Sequence, residues 1–240
     1  MFGTIVNAAA ILVGGLLGLL IKKGIPKSIE DSILKVNGLV VSIIGLNGVL
    51  SATLTADAAT GKISSSGEML LLISMVVGTL IGEFCRLDDR LYGFGRWIET
   101  KAHADGFAQG FISASLVFCI GAMSIIGALN DGLTGDSKTL LIKSVLDGTS
   151  AVIFGATMGI GVAFAAIPVF LYQGAIAMLS GVLSPLISAD LLNMICLVGY
   201  AIVICIGLNF LFNTKIKTAN LLPALLVPIV YNLLMMLKTL

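Results

Sequence analysis

The sequence predicts an all-α, polytopic helical membrane protein with about seven to eight spans. Three observations carry this. Hydrophobic residues make up 58% of the 240-residue chain and charged residues 11%, with a mean hydropathy of +1.08; a soluble domain has about 45–50% and about 25%. The few charges are grouped, leaving uncharged runs of span length. Glycine is abundant, 28 residues, as close helix packing inside a bilayer requires. A soluble globule of this size could not hide so much apolar surface. With 14 basic and 13 acidic residues, no basic excess exists to neutralise phosphates, so nucleic-acid binding is excluded. The same composition excludes disorder. Period-two alternation is missing, which argues against an outer-membrane barrel.

The spans follow from the uncharged runs, since about 20 apolar residues cross the bilayer core. The runs are Met1–Ile21, Val36–Ala56, Met69–Gly82, Gly106–Asn130, Gly148–Ala189, Leu191–Thr214 and Thr218–Leu237. The first lacks the basic flank and cleavage site of a signal peptide. The third holds only 14 residues, so Glu68 or Glu83 must lie near an interface. The fifth holds 42, and Pro168, Gln173 and Gly174 predict a hairpin within it. Eight spans result; the rival count is seven, with the Pro223/Pro228 segment re-entrant. The chain reads as one membrane domain, 1–240, with repeat halves 1–105 and 106–214 and an extra C-terminal helix at 218–238.

Lysine and arginine set the orientation. With the N-terminus outside, the connections carrying Lys22 to Lys35, Arg86 to Lys101, and Lys215 with Lys217 are cytoplasmic. Only Lys62, Lys138, Lys143 and Lys238 fall outside. The polar stretch Leu87–Gly106 predicts an amphipathic interfacial helix, with Tyr92 and Trp97 at headgroup depth and His103 on its solvated side. As the single histidine, His103 gives no basis for zinc or haem, and Cys85, Cys119, Cys196 and Cys205 show no ligand spacing. No cofactor is expected beyond a bound monovalent cation.

Glycines four apart, at Gly14/Gly18, Gly78/Gly82, Gly106/Gly110 and Gly155/Gly159, predict smooth helix faces for close approach, within the chain or between copies in a homo-oligomer. A shift of 110 residues aligns Lys35-Val36-Asn37-Gly38 with Val145-Leu146-Asp147-Gly148. Three spans precede the fourth, so such a repeat would be inverted, an arrangement common in secondary transporters.

The segment Ala128–Gly148 concentrates Asp131, Asp136, Lys138, Lys143 and Asp147 between two long apolar runs. Asp136 fits the N-cap of a helix starting at Ser137. On that helix Asp136, Lys143 and Asp147 fall within about 40° of one another. Lys143 and Asp147 form an i,i+4 pair able to neutralise itself. An ionised group at mid-membrane costs roughly 2.5–3.5 kcal/mol on insertion scales, so such groups face a polar cavity and pair. A carboxylate there binds a cation or a proton; a neighbouring lysine binds an anion or takes the cation's place. The alternative is a solvated outer loop. A span starting near Thr139 embeds both residues; one starting at Gly148 leaves both outside. Of the other embedded amides (Asn7, Asn37, Asn47, Gln173, Asn193, Asn209), Asn37 and Gln173 are favoured as path-lining because each adjoins glycine.

Enzymatic readings are thin. GLTGD at Gly132–Asp136 departs from the GxGD protease motif at Leu133, and no second aspartate with the tyrosine context follows. Ser137-Lys138 and Lys143-Ser144 are adjacent pairs that do not face each other on a helix. No GxxxxGK[ST] loop is present.

The run FCIGAMSIIGALNDGLTGDSKTLLIKSVLDG and the segment AIPVFLYQG resemble the prokaryotic membrane family known as domain of unknown function 554, across essentially the whole chain. The resemblance implies a bacterial or archaeal inner-membrane protein, sometimes described as a transport protein, and transfers no activity. The expected function is therefore a transporter or channel, not an enzyme, for a small ion or small polar solute. Asp131, Asp136, Lys143, Asp147, Asn37 and Gln173 are the candidate site. The rival is a non-transporting scaffold or sensor assembled through its glycine faces.

Overall fold

The computed structural model describes residues 1–22, 26–56, 62–102, 106–185 and 187–238. His103 falls outside them. The described chain is a run of helices with one short hairpin: α1 (Phe2–Lys22), α2 (Lys27–Thr53), β1 (Leu54–Ala56), β2 (Ile63–Ser65), α3 (Glu68–Cys85), α4 (Leu87–Ala102), α5 (Phe107–Cys119), α6 (Ala122–Leu133), α7 (Lys138–Met158), α8 (Gly161–Phe164), α9 (Ala166–Met178), α10 (Ser180–Leu183), α11 (Ala189–Phe212), a 3-10 turn (Thr218–Leu225) and α12 (Leu226–Lys238). β1 and β2 pair antiparallel, Thr55 opposite Ser64. Seven helical segments are long and apolar enough to cross a membrane, and α5 with α6 makes an eighth, bent by 65°. The protein is an all-α polytopic membrane protein.

The helices group into two compact units, Met1–Asn37 with Asp89–Ile187, and Gly38–Asp88 with Ser188–Leu240. In the first, α1 carries Thr4, Asn7, Gly14 and Gly18 on one stripe with Ile11 among them, all buried. That stripe lies along α7, and the two helices run parallel: Gly3 meets Leu140, Gly14 meets Gly148, and Gly18 meets Val152. A methyl on Gly14 or Gly18 would collide with the carbonyl oxygens of Gly148 and Val152. α8 and α9 together run antiparallel to α1, with Ala163 of α8 beside Gly15 and Gln173 of α9 beside Asn7. Phe2, Leu16 and Leu20 stay exposed on the opposite face of α1, as lipid contact requires.

The broken pair crosses this unit from end to end. α5 starts against Gly161 and Met158, where α7 gives way to α8. In the last turn of α6, Asp131 is bonded to Thr4 at the start of α1. The break at Ile120 and Gly121 therefore lies between the two ends, and α5–α6 is one span. Its start and its break are both tied: the Glu99 carboxylate accepts from the Ala108 N–H at 3.1 Å, and the Ser124 hydroxyl donates to the Phe118 carbonyl across the break at 3.0 Å. Phe118 stacks on Phe154 of α7 at 5.9 Å.

Two sequence expectations shift here. The hairpin in the 42-residue run is not at Pro168–Gly174 but at Gly159, whose φ of +84° and ψ of −159° suit a residue without a Cβ. Pro168 is instead the third residue of α9, within the first turn, where its missing N–H costs nothing. Of the spaced glycines, Gly106 (φ +77°) and Gly159 are turn residues, not groove floor. Gly78 and Gly82 do serve close packing, against Ala224 and Asn220 in the second unit. There α2 and α11 also meet at Gly38 and Gly207.

α4 is the expected amphipathic helix. Trp97 is half exposed, stacks on Phe94 at 6.2 Å and carries the Lys101 ammonium 4.6 Å above its ring. In α3, Glu68 and Glu83 sit near opposite ends, as a short span requires. A cavity of about 430 Å³ opens in the second unit between α3, α11 and α12, its wall including Ile73, Asp190, Asn193 and Tyr231.

Candidate functional site

α7 decides the fate of the charged segment. It begins at Lys138, not at Gly148, so Lys143 and Asp147 both lie inside the span. Asp147 is the tenth of 21 residues. At about 1.5 Å per residue α7 matches the thickness of the hydrocarbon core, which puts Asp147 near mid-depth.

Lys143 and Asp147 occupy successive turns of the buried face, each 7% exposed. The ammonium sits astride the carboxylate, 2.9 Å from Oδ1 and 2.8 Å from Oδ2. Asn7 of α1 donates from Nδ2 to Asp147 Oδ2 at 3.1 Å and to Gln173 Oε1 of α9 at 3.3 Å. Three helices thus converge on one ion pair through two amides, both fully buried. The polar capacity is not exhausted: among the described residues, Asn7 Oδ1 and Gln173 Nε2 have no hydrogen-bond partner. Buried amide atoms rarely remain so, and such groups call for a water, an ion or a ligand. The end of α5, just before the break, lies against α7, where Phe118 stacks on Phe154.

Asp131 forms a second cluster at the end of the unit. Its Oδ2 accepts from the Thr4 N–H at 3.2 Å and the Thr4 hydroxyl at 3.3 Å. Its Oδ1 accepts from the Ser137 hydroxyl at 2.6 Å and lies 3.2 Å from the Met1 amine. It caps α1 across the fold, a carboxylate at a helix N-terminus. With both oxygens bonded, it works as a structural clamp that ties the start of α1 and the start of α7 to α6.

Asp136 caps the helix as expected but stands one residue farther out. α7 starts one residue later than predicted, with Ser137 at the N-cap, and the Ser137 hydroxyl is taken by Asp131. Exposed Asp136 accepts from the Lys138 N–H at 3.1 Å, so it caps the helix rather than sharing its charged face. Asn37 is buried with its Nδ2 unpartnered among the described residues, and no hydrogen bond ties it to Asp147. The structure therefore brings together Lys143, Asp147 and Gln173, keeps Asp131 as a neighbouring clamp, and leaves Asp136 and Asn37 apart. Asn7, which bridges the cluster, was grouped with ordinary interhelical amides. Its signal was its place on the Thr4–Asn7–Gly14–Gly18 stripe.

Known proteins give a consistent picture. A 34% identical relative, the uncharacterized membrane protein YdfK of Bacillus subtilis (strain 168), aligns over 228 residues, covering 95% of this chain and 94% of its own. The uncharacterized protein YqgA of Escherichia coli (strain K12) is 29% identical over 233 residues, 94% of each chain. No solved structure matches. The family model for proteins of unknown function DUF554 matches residues 2–233, and the chain belongs to that family.

Proposed function

We propose that the protein is a transporter or channel that moves a small ion or small polar solute through its first unit. One observation carries this reading: an ion pair, flanked by two incompletely bonded amides, sits buried at the midpoint of an apolar span, in a unit that also holds a broken helix. A charge at that depth is costly and is retained where it serves a path or a partner. Midplane sites built at discontinuous helices are how secondary transporters hold substrate. Without a phosphate-binding loop in the chain, an ion gradient or passive flux supplies the drive. No residue here takes a catalytic part.

The rival scaffold reading loses its main support. Gly14 and Gly18 are covered by α7, and Gly78 and Gly82 by the 3-10 turn; none is left to form a groove for another molecule. Homo-oligomerisation remains part of the proposal, through the apolar outer faces. The membrane proposed is the bacterial cytoplasmic membrane, with both ends of the chain outside.

Aqueous access tests the reading. Cysteine is placed at Asp147, Lys143 or Gln173 in a cysteine-free background and treated with a membrane-impermeant thiol reagent. A path predicts labelling at one or more of these positions, changing with the ions present. Silence at all three, with an exposed control at Asp136 labelled, counts against it.

A further inference from the structure

We propose that Asp147 is a binding site for an alkali-metal cation and that the Lys143 ammonium is its tethered competitor, resting in the cation's place; this deepens, and rests on, the reading of the first unit as a path. The ammonium lies almost equally far from the two carboxylate oxygens, 2.9 and 2.8 Å, where a bidentate cation would sit. Hard cations take oxygen ligands. Beside the Asp147 pair stand two more side-chain oxygens, Asn7 Oδ1, unpartnered, and Gln173 Oε1, held only through the Asn7 amide. Half a turn of either amide exchanges its oxygen and nitrogen without changing its shape, so both can face a cation. A pair kept only for packing would have its neighbours' polar atoms closed off; here two fully buried amides each retain one.

Charge balance selects the class. Asp147 and Lys143 together are neutral. Exchanging one monovalent cation for the ammonium keeps Asp147 compensated and avoids a bare buried carboxylate. The displaced ammonium carries its charge out to the aqueous path, so one monovalent cation leaves the Asp147 site neutral, a divalent ion would leave it one positive charge in excess, and an anion would have to displace the carboxylate. No group of three His, Cys, Asp or Glu side chains occurs among the described residues, so a transition-metal site has no footing there. The four-carbon stem of lysine lets the ammonium leave without moving α7.

The inference makes opposite predictions for the two members of one ion pair. Thermal unfolding of the full-length protein is measured in detergent with NaCl, KCl or LiCl replacing choline chloride at constant ionic strength. Wild type gains a saturable rise in Tm with at least one of the metals. Asp147→Asn abolishes it. Lys143→Met lowers the half-saturating concentration by about tenfold, because the competitor is gone. Should Lys143→Met fail to fold, Lys143→Arg decides: its planar fork holds the carboxylate more firmly and raises the half-saturating concentration. No metal-specific rise in wild type, an undiminished rise in Asp147→Asn, or a rise lost in Lys143→Met would overturn the proposal. Solute flux without cation stabilisation overturns the cation site and spares the path; saturable stabilisation without flux keeps the site and overturns the path.

Discussion

At the scale of single residues, Asp147→Ala leaves the Lys143 ammonium buried with no counter-ion. Breaking a buried pair on one side costs about 3–5 kcal/mol, whereas replacing both members with apolar residues is often neutral. The expected outcome in denaturant titrations in detergent is a large loss for Asp147→Ala and near-recovery for the double variant Lys143→Met with Asp147→Leu. Equal losses in both would mean that the pair contributes net stability. Much of this site was legible in the sequence. The i,i+4 spacing of Lys143 and Asp147 placed them on one face, and the glycine after Gln173 drew attention to it. Asn7 was not singled out, because an asparagine within a span is more often a packing hydrogen bond. What made it a bridge is the parallel pairing of α1 with α7, a long-range fact that no local pattern encodes. Asp136 was legible as a cap, since it accepts from the Lys138 N–H, but α7 starts at Lys138, so Asp136 stands outside the helix that carries Lys143 and Asp147.

At the scale of elements, the span boundaries depend on where the backbone can turn. The proline in PVFLYQG looked like the hairpin, yet proline is at home in a first helical turn, and the glycine nine residues earlier has the backbone freedom a sharp reversal needs. Gly159→Ala should cost about 1–3 kcal/mol through backbone strain. Gly93→Ala on α4, where an added methyl meets nothing within 4 Å, should stay within about 0.5 kcal/mol of wild type. Unfolding midpoints in detergent give both values. Gly18→Leu should be the most severe of the set, since it forces α1 away from the Val152 carbonyl and with it Asn7 from Asp147. The expected reading is loss of monodisperse protein. A well-folded Gly18→Leu protein would contradict the described α1–α7 contact. The break in α5–α6 was not visible beforehand, because Ile120-Gly121 is an ordinary pair in a glycine-rich apolar run.

For the whole molecule, the parallel course of α1 and α7 fixes a parity. An odd number of crossings must separate them, and α2, α3 and the broken α5–α6 supply three. With the bent α5–α6 pair counted as one crossing, the chain holds eight candidate spans, and the lysine and arginine bias is the basis of the proposed orientation. Composition alone gave the class, and the uncharged runs gave the span number, because bilayer thickness writes itself into run length. In intact cells an impermeant thiol reagent should label Asp136→Cys and leave Gly93→Cys unlabelled until the membrane is opened. The reverse pattern would invert the topology. The central claim is that a small ion or solute passes by way of Asp147. Its most direct measurement is flux of Na⁺, K⁺, H⁺ and small polar solutes into liposomes holding purified wild type or Asp147→Asn. Flux of at least one species above empty liposomes is expected in wild type, with its loss in folded Asp147→Asn; no wild-type flux of any species, or unchanged flux in the variant, would overturn the path.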